Sequence, residues 1–391
     1  MTENAIVRFD HVDVVFGPSP PAATAMLDQG KGRAEILSET GNTVAVHDAS
    51  LSIRDGELCV LMGLSGSGKS SLLRCVNGLN PITRGSLTVR QEDGREVDVA
   101  TCGAGALRRL RSTRVSMVFQ QFALMPWRTI RDNVALGLEL RGVSKAERRE
   151  TVDRMLSLVQ LEPWADKYPR ELSGGMQQRV GLARAFATDA DVLLMDEPFS
   201  ALDPLIRGHL QDELLDLQQS LKKTIIFVSH DLDEALKLGN RIAIMESGRI
   251  VQVGTPQDIV LNPANDYVEN FVANVNPLNV LRGGTLMRPL EALERDGDWV
   301  VLDAATGVRC RLDEVDMPVA IRDGNSERPV IRGGEGAEAG AVCAEPVDLP
   351  MRLAVERVHD TRRPVILLDG DGRMVGIIAG EQIVEGLLRH G

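Results

Sequence analysis

Residues 63–70 read Gly63-Leu64-Ser65-Gly66-Ser67-Gly68-Lys69-Ser70, a run of the form G-x-x-x-x-G-K-[ST]. Each residue type has a reason to be there. Glycines let backbone N–H groups curl around phosphate oxygens, and a helix starting directly after them adds the positive end of a dipole. A lysine at 69 reaches β- and γ-phosphates, and a hydroxyl at 70 coordinates Mg2+. Asp196-Glu197 closes a second apolar run, Val192-Leu193-Leu194-Met195. An acidic pair at the carboxyl end of a parallel strand lies where such sheets bind ligands. There Asp196 would hold the Mg2+ shell and Glu197 would take a proton from attacking water, a contribution of about 10²–10⁴ in rate. A third candidate, Leu172-Ser173-Gly174-Gly175-Met176, leads into Gln177-Gln178-Arg179 and an alanine-rich helical run. Ser173 alone is a helix cap. Two glycines at a helix start cost entropy and make sense where backbone must approach an anion. The three segments together describe a nucleoside triphosphate site.

Strands and helices must hold these residues. The apolar run at 58–62 is a buried strand opening into the glycine-rich loop, and a short helix follows, ended by Gly78. Further strand-length apolar runs lie at 115–119, 192–195 and 224–228, with a mainly helical stretch from about 122 to 188. After Pro204, apolar residues at Ile206, Leu210, Leu214, Leu217 and Leu221 trace one helix face. Helices alternating with apolar strands imply an α/β fold with a parallel sheet covered on both faces. Ahead of it, Val12, Val14 and Phe16 alternate as a strand, and Gly17-Pro18-Ser19-Pro20-Pro21 interrupts it. A weakly helical excursion follows before strand character returns at 44–53. A boundary falls near Asn276-Pro277. Beyond it the pattern weakens until a helix at 351–358, a strand at 365–368, the turn Asp369-Gly370-Asp371-Gly372 and a strand at 374–378 form a hairpin.

Composition excludes several classes. Among 391 residues, 44 Lys and Arg stand against 56 Asp and Glu, a net charge of −12 that argues against a nucleic-acid partner. At 43% hydrophobic and 26% charged the chain is globular rather than disordered. No stretch approaches about 18 uninterrupted apolar residues, so no membrane span is expected. The opening residues lack the features of a secretory signal. Cys59, Cys75, Cys102, Cys310 and Cys343 are scattered, which fits reduced cytosolic thiols and offers no metal cage. The cluster Arg108-Arg109-Leu110-Arg111-Ser112-Thr113-Arg114 reads as a solvated helix face.

The order of 63–70, Gln120 after Phe119, LSGGM at 172–176, Asp196-Glu197, Ser200-Ala201-Leu202-Asp203 and His230 resembles an ABC-transporter ATPase subunit over about residues 5–275. That resemblance implies a P-loop NTPase with a RecA-like core, an antiparallel β subdomain and a helical subdomain at about 121–188. The ATPase domain would span 1–275 with an insertion at about 17–43, leaving 276–391 as a C-terminal regulatory region. ATP would be held by Gly63 through Ser71, and Phe16 lies near where an aromatic ring stacks on adenine. Gln120 would be the Q-loop glutamine touching Mg2+ or water, 200–203 the D-loop, and His230 the switch histidine. Leu172, Ser173, Gly174, Gly175, Met176 and Gln177 would complete the partner's site in a head-to-tail homodimer. Met176 stands where the common form has Gln.

The excursion, with MGLSGSGKSSLLRCVNGLNP, VFQQFALMPWRT and NPANDYVENFV, is similar to ATPases of bacterial quaternary-amine importers for glycine betaine, proline betaine and choline, and looks most like the choline subunit. This implies a separate transmembrane permease, a periplasmic or extracellular substrate-binding protein and a place on the cytoplasmic face of the inner membrane. The stretch including Trp127 and Arg128 would dock the permease. Another osmolyte, proline betaine or ectoine, is the alternative substrate. A translation-type relative would carry two cassettes, a small-molecule kinase has no use for LSGGM, and a chromosome ATPase would insert a coiled coil. Roughly 100 residues without heptads separate Ser70 from Leu172. The tail at about 350–391, through RPVILLDGDGRMVGII, resembles one CBS module, while 280–345 is too irregular to be a second. Ala379 and Gln382 stand where such a module holds nucleotide through Thr and Asp, which favours a dimerisation or degenerate regulatory role.

Overall fold

The computed structural model describes residues 4–119, 123–200, 202–273, 275–276, 278, 280–333 and 338–388. Gln120 and Ala201 lie outside them. The chain divides into two compact units, one of residues 1–259 and 263–268, the other of 260–262 and 269–391.

The first unit opens with β1 (Ala5–Phe16), α1 (Pro20–Asp28), α2 (Arg33–Thr40), β2 (Thr43–Arg54), β3 (Leu58–Met62), α3 (Lys69–Val76), β4 (Arg84–Arg90) and β5 (Glu96–Asp98). It continues with α4 (Ala104–Arg109), β6 (Val115–Val118), α5 (Ile130–Leu140), α6 (Lys145–Leu158), α7 (Gly174–Ala187) and β7 (Val192–Asp196). Then come α8 (Pro204–Leu221), β8 (Thr224–Val228), α9 (Leu232–Leu238), β9 (Arg241–Glu246) and β10 (Arg249–Gly254). Two short helices, α10 (Pro256–Leu261) and α11 (Asp266–Val272), straddle the division between the units.

A six-stranded sheet in the order β10-β9-β3-β8-β7-β6 is parallel except at its β10 edge. Every residue of β3, β7 and β8 is buried, which is why these strands read as unbroken apolar runs. A four-stranded antiparallel sheet, β2-β1-β4-β5, faces it across α3. Leu72, Leu73, Cys75 and Val76 of α3 join one core with residues of both sheets. The helix that follows the glycine-rich loop is therefore gripped on two sides, and its N-terminus is fixed in space.

The excursion leaves β1 at Phe16 and re-enters β2 at Thr43, residues that pair across the two strands. It forms α1 and α2, broken at Gly30-Lys31-Gly32, over a small core of Ala23, Leu27 and Ile36 with Val15 and Val44. Asn42 closes it: its Oδ1 accepts from the Ser19 N–H and its Nδ2 donates to the Ser19 carbonyl, both at 3.0 Å. The arginine cluster is solvated as expected at Arg108, Arg109 and Arg111, and Arg114 is the exception. Arg114 is buried, pairs with Asp191 and donates to the Arg90 carbonyl at 3.0 Å, and Arg111 donates to the Asn77 carbonyl at 2.7 Å. The cluster winds the chain into β6, where Arg114 joins the end of β4 to the residue before β7 and Arg111 fastens the end of α3.

The second unit holds α12 (Gly283–Leu286), β11 (Arg288–Pro289), β12 (Arg295–Asp296), β13 (Trp299–Asp303), β14 (Val308–Leu312), β15 (Pro318–Asp323), β16 (Ser326–Pro329) and β17 (Ile331–Arg332). It ends in β18 (Cys343–Pro346), α13 (Met351–Thr361), β19 (Val365–Leu368), β20 (Met374–Ile378) and α14 (Gly380–Leu388). β12 to β16 form an antiparallel meander in the stretch without clear sequence pattern. The other sheet, β11-β20-β19-β18-β17, contains a β-α-β crossover, β18-α13-β19, followed by the β19–β20 hairpin and α14.

Candidate functional site

The glycine-rich loop turns at the carboxyl end of β3. Gly63, Gly66 and Gly68 have φ of 140°, 79° and 102°, conformations that side chains resist. A Cβ at Gly63 would strike the Met245 carbonyl, and one at Gly68 the Ala45 carbonyl. No side chain caps α3. Lys69 is 6% exposed, and its Nζ donates to the carbonyls of Gly63 at 2.8 Å and Leu64 at 3.0 Å. Burial lowers its pKa against the opposing charges of Glu197 and Asp196. A cleft of about 440 Å³ is lined by Ser65, Gly66, Gly68, Lys69, Ser70, Ser71, Glu197 and His230.

Parallel pairing of β3, β8 and β7 brings Asp196 to the same sheet edge. Asp196 is buried; the Ser70 hydroxyl donates to its Oδ1 at 2.7 Å, and Arg74 donates from Nε and Nη2 to its Oδ2 at 3.1 and 2.8 Å. A hydroxyl and a carboxylate oxygen side by side are hard oxygen donors of the kind Mg2+ takes, so the pair fits that ion. Glu197 turns the chain sharply with φ of 50°. Its N–H donates to the Val228 carbonyl at 3.1 Å, and its carbonyl accepts from Ser200 Oγ at 3.0 Å and Gln178 Nε2 at 3.3 Å. The divergent turn sends the Glu197 carboxylate into the cleft, where Oε2 lies 3.2 Å from His230 Nδ1. Ser229, before that histidine, is buried and donates to Glu234 Oε2 at 2.5 Å. Burial raises the Glu234 pKa.

The structure thus assembles 63–71, Asp196, Glu197 and His230. Other expected residues stand elsewhere among the described residues. Ser173 caps α7 by accepting from the Met176 N–H at 3.4 Å, with Ser173 and Gly174 exposed and Leu172 buried. Gln177 folds back to donate to the carbonyls of Pro169 and Leu172 at 3.0 and 3.2 Å. None of 172–177 lines the cleft of its own chain. Phe16 is 37% exposed at the end of β1. Asp203 caps α8, accepting from the Ile206 N–H at 3.1 Å, and Leu202 is buried. Trp127 is 72% exposed, not core.

Three residues escaped the sequence reading. Arg74 sits four after Ser70 on α3, a same-face spacing that could have found it. Tyr267 carries no local signal: its hydroxyl accepts from the Leu64 N–H at 3.3 Å and donates to the Met245 carbonyl at 3.4 Å. Arg33 of the insertion reaches the Gly66 carbonyl at 3.5 Å.

A phosphate loop, an acidic strand end and a glycine-led helix on one parallel sheet define an ATP-binding cassette. The ABC transporter family profile matches residues 46–200. A dimeric bacterial ABC transporter cassette, MJ0796, superposes with a TM-score of 0.55 at 29% identity, covering 64% of this chain and 98% of its own. The glycine betaine/carnitine transport ATP-binding protein GbuA of Listeria monocytogenes is 41% identical over 391 residues, 97% of each chain. The glycine betaine/proline betaine transport ATP-binding protein ProV of Escherichia coli is 41% identical over 394 residues, 96% of each. The glycine betaine transport ATP-binding protein OpuAA of Bacillus subtilis is 50% identical over 290 residues, 74% of this chain and 68% of its own. The chain belongs to the ABC ATP-binding subunits of the betaine and carnitine import family.

Proposed function

We propose that this chain hydrolyses ATP to drive uptake of a quaternary amine, glycine betaine or choline, through a separate membrane permease. The observation that carries the catalytic assignment is the 3.2 Å approach of His230 Nδ1 to Glu197 Oε2 in the cleft beside Lys69 and Ser70. Loop amides and Lys69 bind the phosphates, Glu197 takes the proton of the attacking water, and His230 orients that carboxylate beside the γ-phosphate. Ser70, Asp196 and Gln120 would hold Mg2+, which would supply charge neutralisation when bound. Phe16, at the mouth of the excursion, stacks on adenine.

The exposed Ser173 and Gly174 meet a partner's γ-phosphate in a head-to-tail homodimer, with Leu172, Gly175, Met176 and Gln177 shaping that helix start and 200–203 lying at the interface. Among the described residues no helix is long and apolar enough to cross a membrane, in keeping with a peripheral subunit on the cytoplasmic face. A substrate-binding protein completes the importer, and the exposed Trp127 belongs to the surface that meets the permease. The β18-α13-β19-β20-α14 order supports a CBS-like module with a regulatory or dimerising role.

Uptake of labelled choline and glycine betaine in cells lacking this chain tests the reading, with complementation by wild type or Glu197→Gln. Amine uptake restored by wild type alone supports it. No uptake of either amine, with ATP hydrolysis intact in the purified chain, moves the substrate to another osmolyte such as proline betaine or ectoine.

A further inference from the structure

His230 is 62% exposed, and among the described residues its ring makes one polar contact, with Glu197. Its position is therefore set by the backbone on either side. Upstream, Ser229 is bonded to Glu234, and its Oγ also accepts from the Asp231 N–H at 3.0 Å. Downstream, Asp231 caps α9, with Oδ1 accepting from the Glu234 N–H at 3.2 Å. Both carboxylates are held from α8. Arg207 Nη1 donates to Asp231 Oδ2 at 3.2 Å, and Gln211 Nε2 donates to Glu234 Oε1 at 3.0 Å. Positions 207 and 211 are four apart, on one face of the helix. The second terminal nitrogen of Arg207 donates to the Leu202 carbonyl at 3.3 Å, just ahead of the Asp203 cap that starts α8.

We propose that Arg207 and Gln211 are positioning residues, a two-point clamp from α8 that sets where His230 stands against Glu197, with Arg207 also tied to the Leu202 carbonyl. The inference rests on the reading that His230 serves hydrolysis. Neither side chain lines the nucleotide cleft, and their hydrogen bonds go to Asp231, Leu202 and Glu234 rather than to the phosphate loop. Displacing a catalytic group by about 1 Å can cost up to 10²-fold in rate. A contact that moves Leu202 would thereby act through Arg207 on the hydrolytic step and leave affinity alone.

The test uses the full chain, with Arg207→Met, Arg207→Lys and Gln211→Leu made in wild type and in a His230→Ala background. Expected for Arg207→Met and Gln211→Leu is a kcat about 10-fold lower with KM for ATP within twofold of wild type. Arg207→Lys, which keeps a charge beside Asp231, should lose less. In the His230→Ala background each substitution should cost less than twofold more, because the group it positions is gone. Losses that multiply with His230→Ala, or a folded variant with unchanged kcat, overturn the clamp alone. If Arg207→Met does not fold, Gln211→Leu, neutral for neutral, carries the same comparison. Full turnover by His230→Ala overturns the role of His230 and the clamp with it.

Discussion

Two helices in this chain begin just after a buried strand, and their first turns are treated in opposite ways. At α3 the start is left open: Gly68 supplies no side chain, and no cap takes the first amides. At α14 the start is closed, because Gln382 Oε1 reaches back one turn and accepts the Ala379 N–H at 3.0 Å. A third case, α7, stands between them, with Ser173 taking one N–H at 3.4 Å beside two glycines. An open start is thus a requirement of an anion site and not a sufficient one, since α2, α4 and α13 also begin without a side-chain cap. Strand-to-helix architecture alone does not make one.

The contrast can be broken in several places. The largest effect is expected at Glu197→Gln, which leaves the open helix start intact and removes the base: steady-state phosphate release should fall below a tenth of wild type, and by about 10²–10⁴ in full. Equilibrium ATP binding should persist, and loss of both together would mean that the carboxylate belongs to the anion site. Next, Gly68→Ala forces φ of 102° on a side chain aimed at the Ala45 carbonyl. It should weaken ATP binding at least 10-fold and cost about 1–3 kcal/mol of stability in chemical denaturation. Gly380→Ala at the closed helix, where a Cβ would meet nothing within 4 Å, should change neither.

Smaller effects sharpen the same point. Lys69 has a lowered pKa because burial disfavours its charge. Phosphates favour the charged form, so binding at alkaline pH should take up protons, and affinity should decline as pH rises through that lowered pKa. Calorimetry in buffers of different ionisation enthalpy reads the uptake, and Lys69→Arg should abolish it. The smallest change is expected at Gln382→Ala, which frees one amide for water at about 0.5–1 kcal/mol. In a full-length Lys69→Ala background it should create no new adenine-nucleotide binding, and a new site there would show the closed helix to be a masked anion site.

Legibility in the sequence followed the range of the interactions. Residues 63–70 and 196–197 are readable because their chemistry needs fixed types at fixed spacing, and β3, β7 and β8 because burial on both faces makes them wholly apolar. The 365–378 hairpin announces itself through Asp369-Gly370-Asp371-Gly372. Tyr267 was invisible because its partner Leu64 lies 203 residues away. The meander from β12 to β16 was missed for another reason. Its strands run from two to six residues, and outward positions such as Arg309, Arg311 and Arg322 interrupt any apolar run. Arg114 shows the converse error: a charged run looks solvated until tertiary structure buries one member against Asp191.

Glu197 has the left-handed backbone that glycine or asparagine adopts at little cost, and for glutamate the conformation stores about 1–2 kcal/mol. The turn is what separates its carboxylate from that of Asp196. Selection for heat resistance alone would therefore drift away from glutamate at this position, toward a hardier protein that no longer turns over. Retention of Glu197 in a lineage records that the work of the chain, and not merely its persistence, has been under selection.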